Sequence, residues 1–139
     1  MGLILDTSVL IAAERKRLDL PGLFTAYPAE ACYIAAITAA ELLHGVARAQ
    51  TAERKKERSS FVESILSEIE VIDFDLAVAR CHAELWAALE GIGKIVGPYD
   101  LLIAATALCY EHAVVTLNVS EFRQVAGVRL IDTGPFFLA

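Results

Sequence analysis

Short apolar runs alternate with longer stretches of helical periodicity along this whole chain, and that order leaves few folds open. Leu3 to Leu5 precedes a helix expected from about Thr7, and residues 32–36 precede one expected from Ala39. A charged helix over about 52–68, a strand at 71–74 and a helix from Leu76 to about Leu89 come next. The pattern continues with a helix over 98–110, a strand at 113–116, a short helix near 120–124 and a last strand at 129–131. Strands separated by helix-length crossovers pair in parallel, and a parallel sheet needs both faces covered. The expected class is therefore α/β, a central parallel sheet between helical layers.

At 139 residues and 56% apolar content, the chain suits one domain, spanning 1–139, with a substantial core. The mean hydropathy of +0.52 raises the question of a membrane. The longest apolar runs, such as 101–110, fall well short of the roughly 20 residues a spanning helix needs. The N-terminus lacks the basic region of an export signal and carries Asp6 inside the would-be apolar stretch, so export is not expected. Cys32, Cys81 and Cys109 are an odd number with no CxxC pair, which argues against zinc and against a disulfide framework. A reduced, cytoplasmic setting is the expectation.

Four acids stand just after short apolar runs: Asp6 in LILDTSVLIAA, Glu41 in YIAAITAAELLHG, Asp100 in GPYDLLIAATAL and Glu121 in VVTLNVSEF. A carboxylate beside apolar segments needs its charge compensated, and several brought together repel one another. Convergence of the four would call for a bound cation, with Mg²⁺ or Mn²⁺ the natural choice for oxygen ligands. Their places along the expected elements agree, because ligand sites of open α/β sheets gather beyond the carboxyl ends of the strands. Thr7, Ser8 and Thr116 suit orienting a carboxylate or a metal-bound water, or equally satisfying local backbone groups, and Asn118 suits offering an amide oxygen or forming a turn.

Each acid also has an explanation without chemistry. Thr38-Ala-Ala-Glu41 fits a capping box, Asp100 comes two residues after Pro98 in a first helical turn, Asp6 precedes a helix start, and Glu121 suits an exposed helix. Capping does not require all four to meet. Glu41 and His44 form Glu-x-x-His on one helical face, a spacing that a di-iron bundle uses in two copies, and the chain has one. The net charge of −6 argues against coating nucleic acid through bulk electrostatics. Eight of the twelve basic residues nevertheless fall in two clusters, Arg15–Arg17 and then Arg48, Arg54, Lys55, Lys56 and Arg58. Glu53 and Glu57 alternate with the second cluster, so a solvated helical face is the simpler reading and a nucleic-acid rim the alternative.

Taken jointly and in order, LDTSVLIA, TAAELLHG, YDLLIAATAL and VVTLNVSEF resemble the signature segments of PIN-domain nucleases, particularly the VapC-type toxins of bacterial toxin–antitoxin pairs. The resemblance implies a PIN-like three-layer α/β/α sandwich with Asp6, Glu41 and Asp100 as the core acidic triad. At the fourth position members of the family often carry Asp; here Glu121 is favoured and Asn118 competes with it. The implied chemistry is Mg²⁺- or Mn²⁺-dependent hydrolysis of RNA phosphodiesters, leaving 5′-phosphate and 3′-hydroxyl ends, with Glu41 nearest the attacking water. One ion or two would suit four carboxylates. The implied partners are a structured RNA such as transfer or ribosomal RNA, a cognate antitoxin, and a second copy of the chain. Apolar surface for the antitoxin is expected from 10–23 and 42–46, and for the dimer from the second half.

Two other classes compete with the nuclease. A PIN-like regulatory or protein-binding domain without activity would not need Asp6, Glu41 and Asp100 together. A phosphotransferase with Asp6 as nucleophile would want a second Asp two residues on, where Ser8 stands.

Overall fold

A computed structural model describes residues 1–139. Four strands, β1 (Leu3–Leu5), β2 (Cys32–Ala35), β3 (Glu70–Ile72) and β4 (Ala113–Val115), form one sheet in the order β3-β2-β1-β4, parallel throughout. The helices are α1 (Thr7–Glu14), α2 (Leu20–Ala26), α3 (Ala36–Ala47), α4 (Ala52–Glu68), α5 (Leu76–Gly91), α6 (Pro98–Cys109) and α7 (Val119–Arg123). They cover both faces of the sheet, a three-layer α/β/α sandwich. No helix is long and apolar enough to cross a membrane.

Alternation along β1 and β4 divides the core in two. Leu3 and Leu5 of β1 and Ala113 and Val115 of β4 pack with Val9, Leu10, Leu23, Leu42, Val62 and Ile65 from α1 to α4. Ile4 and Val114 point the other way, onto Leu89, Ile103, Ala104, Ala107 and Phe122 from α5, α6 and α7. Every residue of β1 is fully buried, with β2 and β4 hydrogen-bonded to its two edges. The strand therefore delivers the next residue of the chain, Asp6, to the centre of the molecule.

Several boundaries differ from those the sequence suggests. Helix α3 begins at Ala36, directly out of β2, with Ala35 as its N-cap and no side-chain cap. Thr38 is consequently inside the first turn and fully buried, the capping box does not form, and Glu41 stands in the second turn. The run IAAITAA holds no polar residue before Thr38, so Thr38 reads as a cap although the helix has already started. Strand β3 spans 70–72 rather than 71–74, and the chain leaves it early to let Asp75 cap α5, its Oδ1 accepting from the Val78 N–H at 2.9 Å. The expected strand at 129–131 reduces to one parallel bridge between Val114 and Leu130. Helix α2 has no expected counterpart: Pro21 and Gly22 read as turn formers, yet Asp19 caps it by accepting the Gly22 N–H at 3.0 Å.

Phe122, the largest fully buried side chain, anchors the five-residue helix α7 to the sheet. Replacing it with Ala removes the anchor of a helix too short to persist alone. Phe122→Ala should cost about 3–5 kcal/mol in urea unfolding; a loss below about 1 kcal/mol would show that α7 is held by something other than this ring.

Candidate active site

Asp6 is the buried centre of the site, only 2% exposed. Its Oδ2 accepts hydrogen bonds from Ser8 Oγ at 2.7 Å and Thr116 Oγ1 at 2.6 Å, the second tying the end of β1 to the residue after β4. The Asn118 N–H donates to Thr116 Oγ1 at 2.9 Å and the Leu117 N–H to Ser8 Oγ at 3.1 Å, so backbone donors fix both hydroxyls. Asp6 Oδ1 takes no hydrogen bond from the protein, and no buried side-chain oxygen or nitrogen in the molecule lacks a partner. The free oxygen of Asp6 thus faces space that solvent or a ligand reaches.

Glu41 approaches from the second turn of α3. Thr7 donates its hydroxyl to Glu41 Oε1 at 2.8 Å and lies 3.1 Å from Thr38 Oγ1. Burial raises the pKa of Glu41, the Thr7 hydrogen bond opposes that, and the charge of Asp6 adds to it. Asp100, in the first turn of α6, accepts no hydrogen bond from any residue, and its pKa is pushed up to about 6. Burial is the largest cause, followed by the charges of Asp6, Glu121 and Glu41. Glu121 in α7 accepts the Gly97 N–H at 2.7 Å, which fastens the loop that opens α6. A carbon added at Gly97 would lie 3.6 Å from Glu121 Oε1 and 3.8 Å from Asp100 Oδ2, so those two carboxylates share one corner.

None of the four acids caps its own helix. Asp6 is the N-cap of α1 by position but makes no cap bond, Glu41 lies beyond its first turn, Asp100 is unbonded, and Glu121 holds the start of a different helix. Asn118 is exposed, and its side chain makes no hydrogen bond. His44 stands one helical turn after Glu41, exposed, in a cleft beside it.

The donor set is all oxygen: three carboxylates grouped by charge about Asp100, with one open oxygen on Asp6. That set fits Mg²⁺ or Mn²⁺ in chemistry, since uncompensated carboxylates of this kind are neutralised by a hard cation. They do not form a closed cage: no three His, Cys, Asp or Glu groups are drawn together tightly enough to hold an ion as they stand. Mutual repulsion favours that spacing, and the flexible stems of Glu41 and Glu121 give them reach.

Sequence reasoning missed Thr38, whose hydroxyl meets Thr7 across 31 residues of chain, and Gly97, whose backbone serves Glu121. Thr38 stands within a motif that reads as a cap; nothing local marks Gly97 as a donor. The apolar stretches expected to meet a partner are largely core, with Leu10, Leu20, Leu23 and Leu42 buried and Ile11 and Leu43 exposed. Helical periodicity turns the leucines toward the sheet and leaves those two outward.

The PIN domain model matches residues 3–128. A ribonuclease VapC of Rickettsia bellii is 31% identical over 131 residues, covering 94% of this chain and 96% of the relative. A tRNA(fMet)-specific endonuclease VapC of Shigella flexneri is 32% identical over 130 residues, covering 93% and 96%. Among solved structures, VapBC2 of Rickettsia felis bound to a promoter DNA fragment superposes with a TM-score of 0.85 at 31% identity, covering 94% of this chain and 98% of that one. DNA-bound VapBC of Salmonella typhimurium gives 0.84 at 32% identity, covering 95% and 98%. Matched in sequence and in fold over nearly its whole length, the chain belongs to the PIN-domain family, among the VapC proteins.

Proposed function

We propose that this protein is the toxin of a toxin–antitoxin pair and a Mg²⁺- or Mn²⁺-dependent endoribonuclease. The observation that carries the reading is Asp100, a carboxylate with no hydrogen-bond donor, its pKa raised to about 6 among Asp6, Glu121 and Glu41. A divalent cation bound there would compensate that charge. Asp6, Asp100 and either Glu41 or Glu121 are the candidate ligands. The ion, when bound, supplies Lewis acidity and charge neutralisation toward a phosphodiester.

The protein's own groups do the rest. Ser8 and Thr116 hold Asp6 in one rotamer so that its free oxygen stays aimed into the site. Glu41, oriented by Thr7 and shifted toward neutrality by burial, suits a proton acceptor for the attacking water. Glu121 keeps the start of α6, and with it Asp100, in place.

Transfer RNA is the favoured substrate class, because two VapC relatives carry the name tRNA(fMet)-specific endonuclease, at 32% and 36% identity. An antitoxin is the favoured protein partner, since solved neighbours are VapBC complexes. Ile11 and Leu43 offer it apolar contact. Exposed Phe74, Trp86 and Ile95 around α5 suit the second copy of a homodimer.

Purified, antitoxin-free protein should cut transfer RNA at discrete positions with Mg²⁺ or Mn²⁺, and EDTA or Asp6→Ala should abolish the cuts. Absence of cleavage by folded, metal-supplied protein would favour the inactive protein-binding reading.

Asp100→Asn separates catalysis from stability. A carboxyl whose pKa is raised on folding costs nothing below about pH 4 and destabilises increasingly as pH rises through about 6. At about pH 7.5 in EDTA the variant should gain about 1 kcal/mol, a figure discounted for screening at a half-buried group. Thermal melts should show the gain vanishing near about pH 4, while cleavage is lost at every pH. An unchanged melting temperature at neutral pH would contradict a carboxyl whose pKa is raised by burial and by its neighbours' charges.

At the fourth position, Glu121→Gln keeps an acceptor for Gly97 and should lose about tenfold in kcat/KM, Glu121→Ala about a hundredfold. Asn118→Ala should stay within about threefold, because its side chain holds nothing. The reverse order would make Asn118 the fourth site residue.

A further inference from the structure

Three arginines from the two basic clusters, far apart in sequence, meet at one place. Arg15 closes α1, Arg48 closes α3 and Arg58 lies in α4, and all three line a cleft of about 490 Å³ whose inner wall is Thr7 and Glu41. A cation at the C-terminal end of a helix is favourable wherever that end points. The dipole accounts for Arg15 and Arg48 singly; it does not account for Arg58, from the middle of a helix, joining them.

Arg58 is held ready. Its Nη1 donates to the Gly45 carbonyl at 3.1 Å and its Nε stands 3.8 Å from Glu14 Oε1, too long for a hydrogen bond, while Nη2 has no protein partner. Gly45 is itself informative. It sits inside α3, where glycine is unfavourable, and a side-chain carbon there would meet nothing within 4 Å. Its carbonyl, in the last turn of α3, has no helical partner and accepts from Arg58, and the missing side chain leaves the cleft open at that point. At the mouth, beside Asp100, the Tyr99 ring is 53% exposed.

We infer that this cleft is the track for the backbone of a single-stranded stretch of the RNA substrate, leading its scissile phosphate to the acids. Arg15, Arg48 and Arg58 bind phosphates on the approach, and Tyr99 offers its face to an unstacked base beside the cut. The inference rests on the nuclease reading and assigns its substrate-holding residues. It also explains how a chain of net charge −6 takes a polyanion: three arginines outnumber Glu14 and Glu41 along the walls where the strand must lie. Lys55 and Lys56, exposed along α4, stand outside the cleft and have no part in the track.

The test is steady-state cleavage of a transfer RNA transcript over a range of salt, with Arg15→Ala/Arg48→Ala, Gly45→Phe and the charge-matched control Arg80→Ala/Lys94→Ala. The arginine pair should raise KM about tenfold with kcat within about twofold, and flatten the salt dependence of kcat/KM by about 1.4 for two lost phosphate contacts on a single strand. Gly45→Phe should raise KM while its thermal melt shows an intact fold, and the control should match the unaltered protein. Equal KM and equal salt slope in the arginine pair would overturn the inference, as would a variant whose only loss is affinity for a protein partner. Anisotropy of a fluorescein-labelled single-stranded RNA reads binding independently of cleavage. Binding that needs Arg15 and Arg48, in a protein that cuts nothing, would sink the nuclease reading and leave the track standing.

Discussion

The hydrogen bond from Thr116 to Asp6 is the join on which the rest of the site depends. It spans 110 residues of chain and links the ends of two adjacent parallel strands, so the carboxylate is positioned by the register of the sheet rather than by a loop. Parallel pairing of Leu5 with Val115 puts the next residues, Asp6 and Thr116, side by side. Nothing further is needed to bring the hydroxyl to the acid. Ser8, in the first turn of α1, completes the grip. The site is thus a consequence of topology: strands that all run one way deliver all their succeeding residues to one edge.

Charge then organises what the sheet has gathered. A single buried carboxylate with two hydroxyl donors is stable. Adding Glu41, Asp100 and Glu121 crowds like charges, and Asp100, without a donor of its own, has its pKa pushed up to about 6, by burial first and then by the charges of Asp6, Glu121 and Glu41. The hydroxyls of Ser8, Thr7 and Thr116 stabilise two of the acids, and the Gly97 N–H a third. Distribution of donors in this way leaves Asp100 without one, which a set of helix caps would not do.

The order of strands and helices and the four acids were legible because each rests on local pattern: a run of apolar residues, a periodicity, an acid just beyond. The features that escaped are set by contacts between distant segments. Thr38 reads as a cap until Thr7 occupies it, and the start of α3 moves to Ala36 because β2 passes into the helix with no loop between. Helix α2 is hidden by Pro21 and Gly22, which are as much at home in a first helical turn as in a bend. Leu10, Leu23 and Leu42 look like docking surface because hydrophobicity alone does not say which way a helix faces.

The same distinction governs the basic residues. In sequence, Glu53 and Glu57 among the cations of α4 point to a solvated face, and for the exposed Lys55 and Lys56 that is a sufficient account. Arg58 differs only by the turn of the helix it occupies, which sends it inward past Glu14 to the Gly45 carbonyl. A fold that collects acids at the ends of its strands repels the polyanion it is built to cut. Cations are placed beyond the acids: α1, which starts at Thr7, and α3, which carries Glu41 midway, end in Arg15 and Arg48. In the proposed track each helix thereby carries an acid or its hydroxyl partner toward the reacting centre and an arginine for phosphate at its end, so the two kinds of group are spaced by the rise of the same two helices.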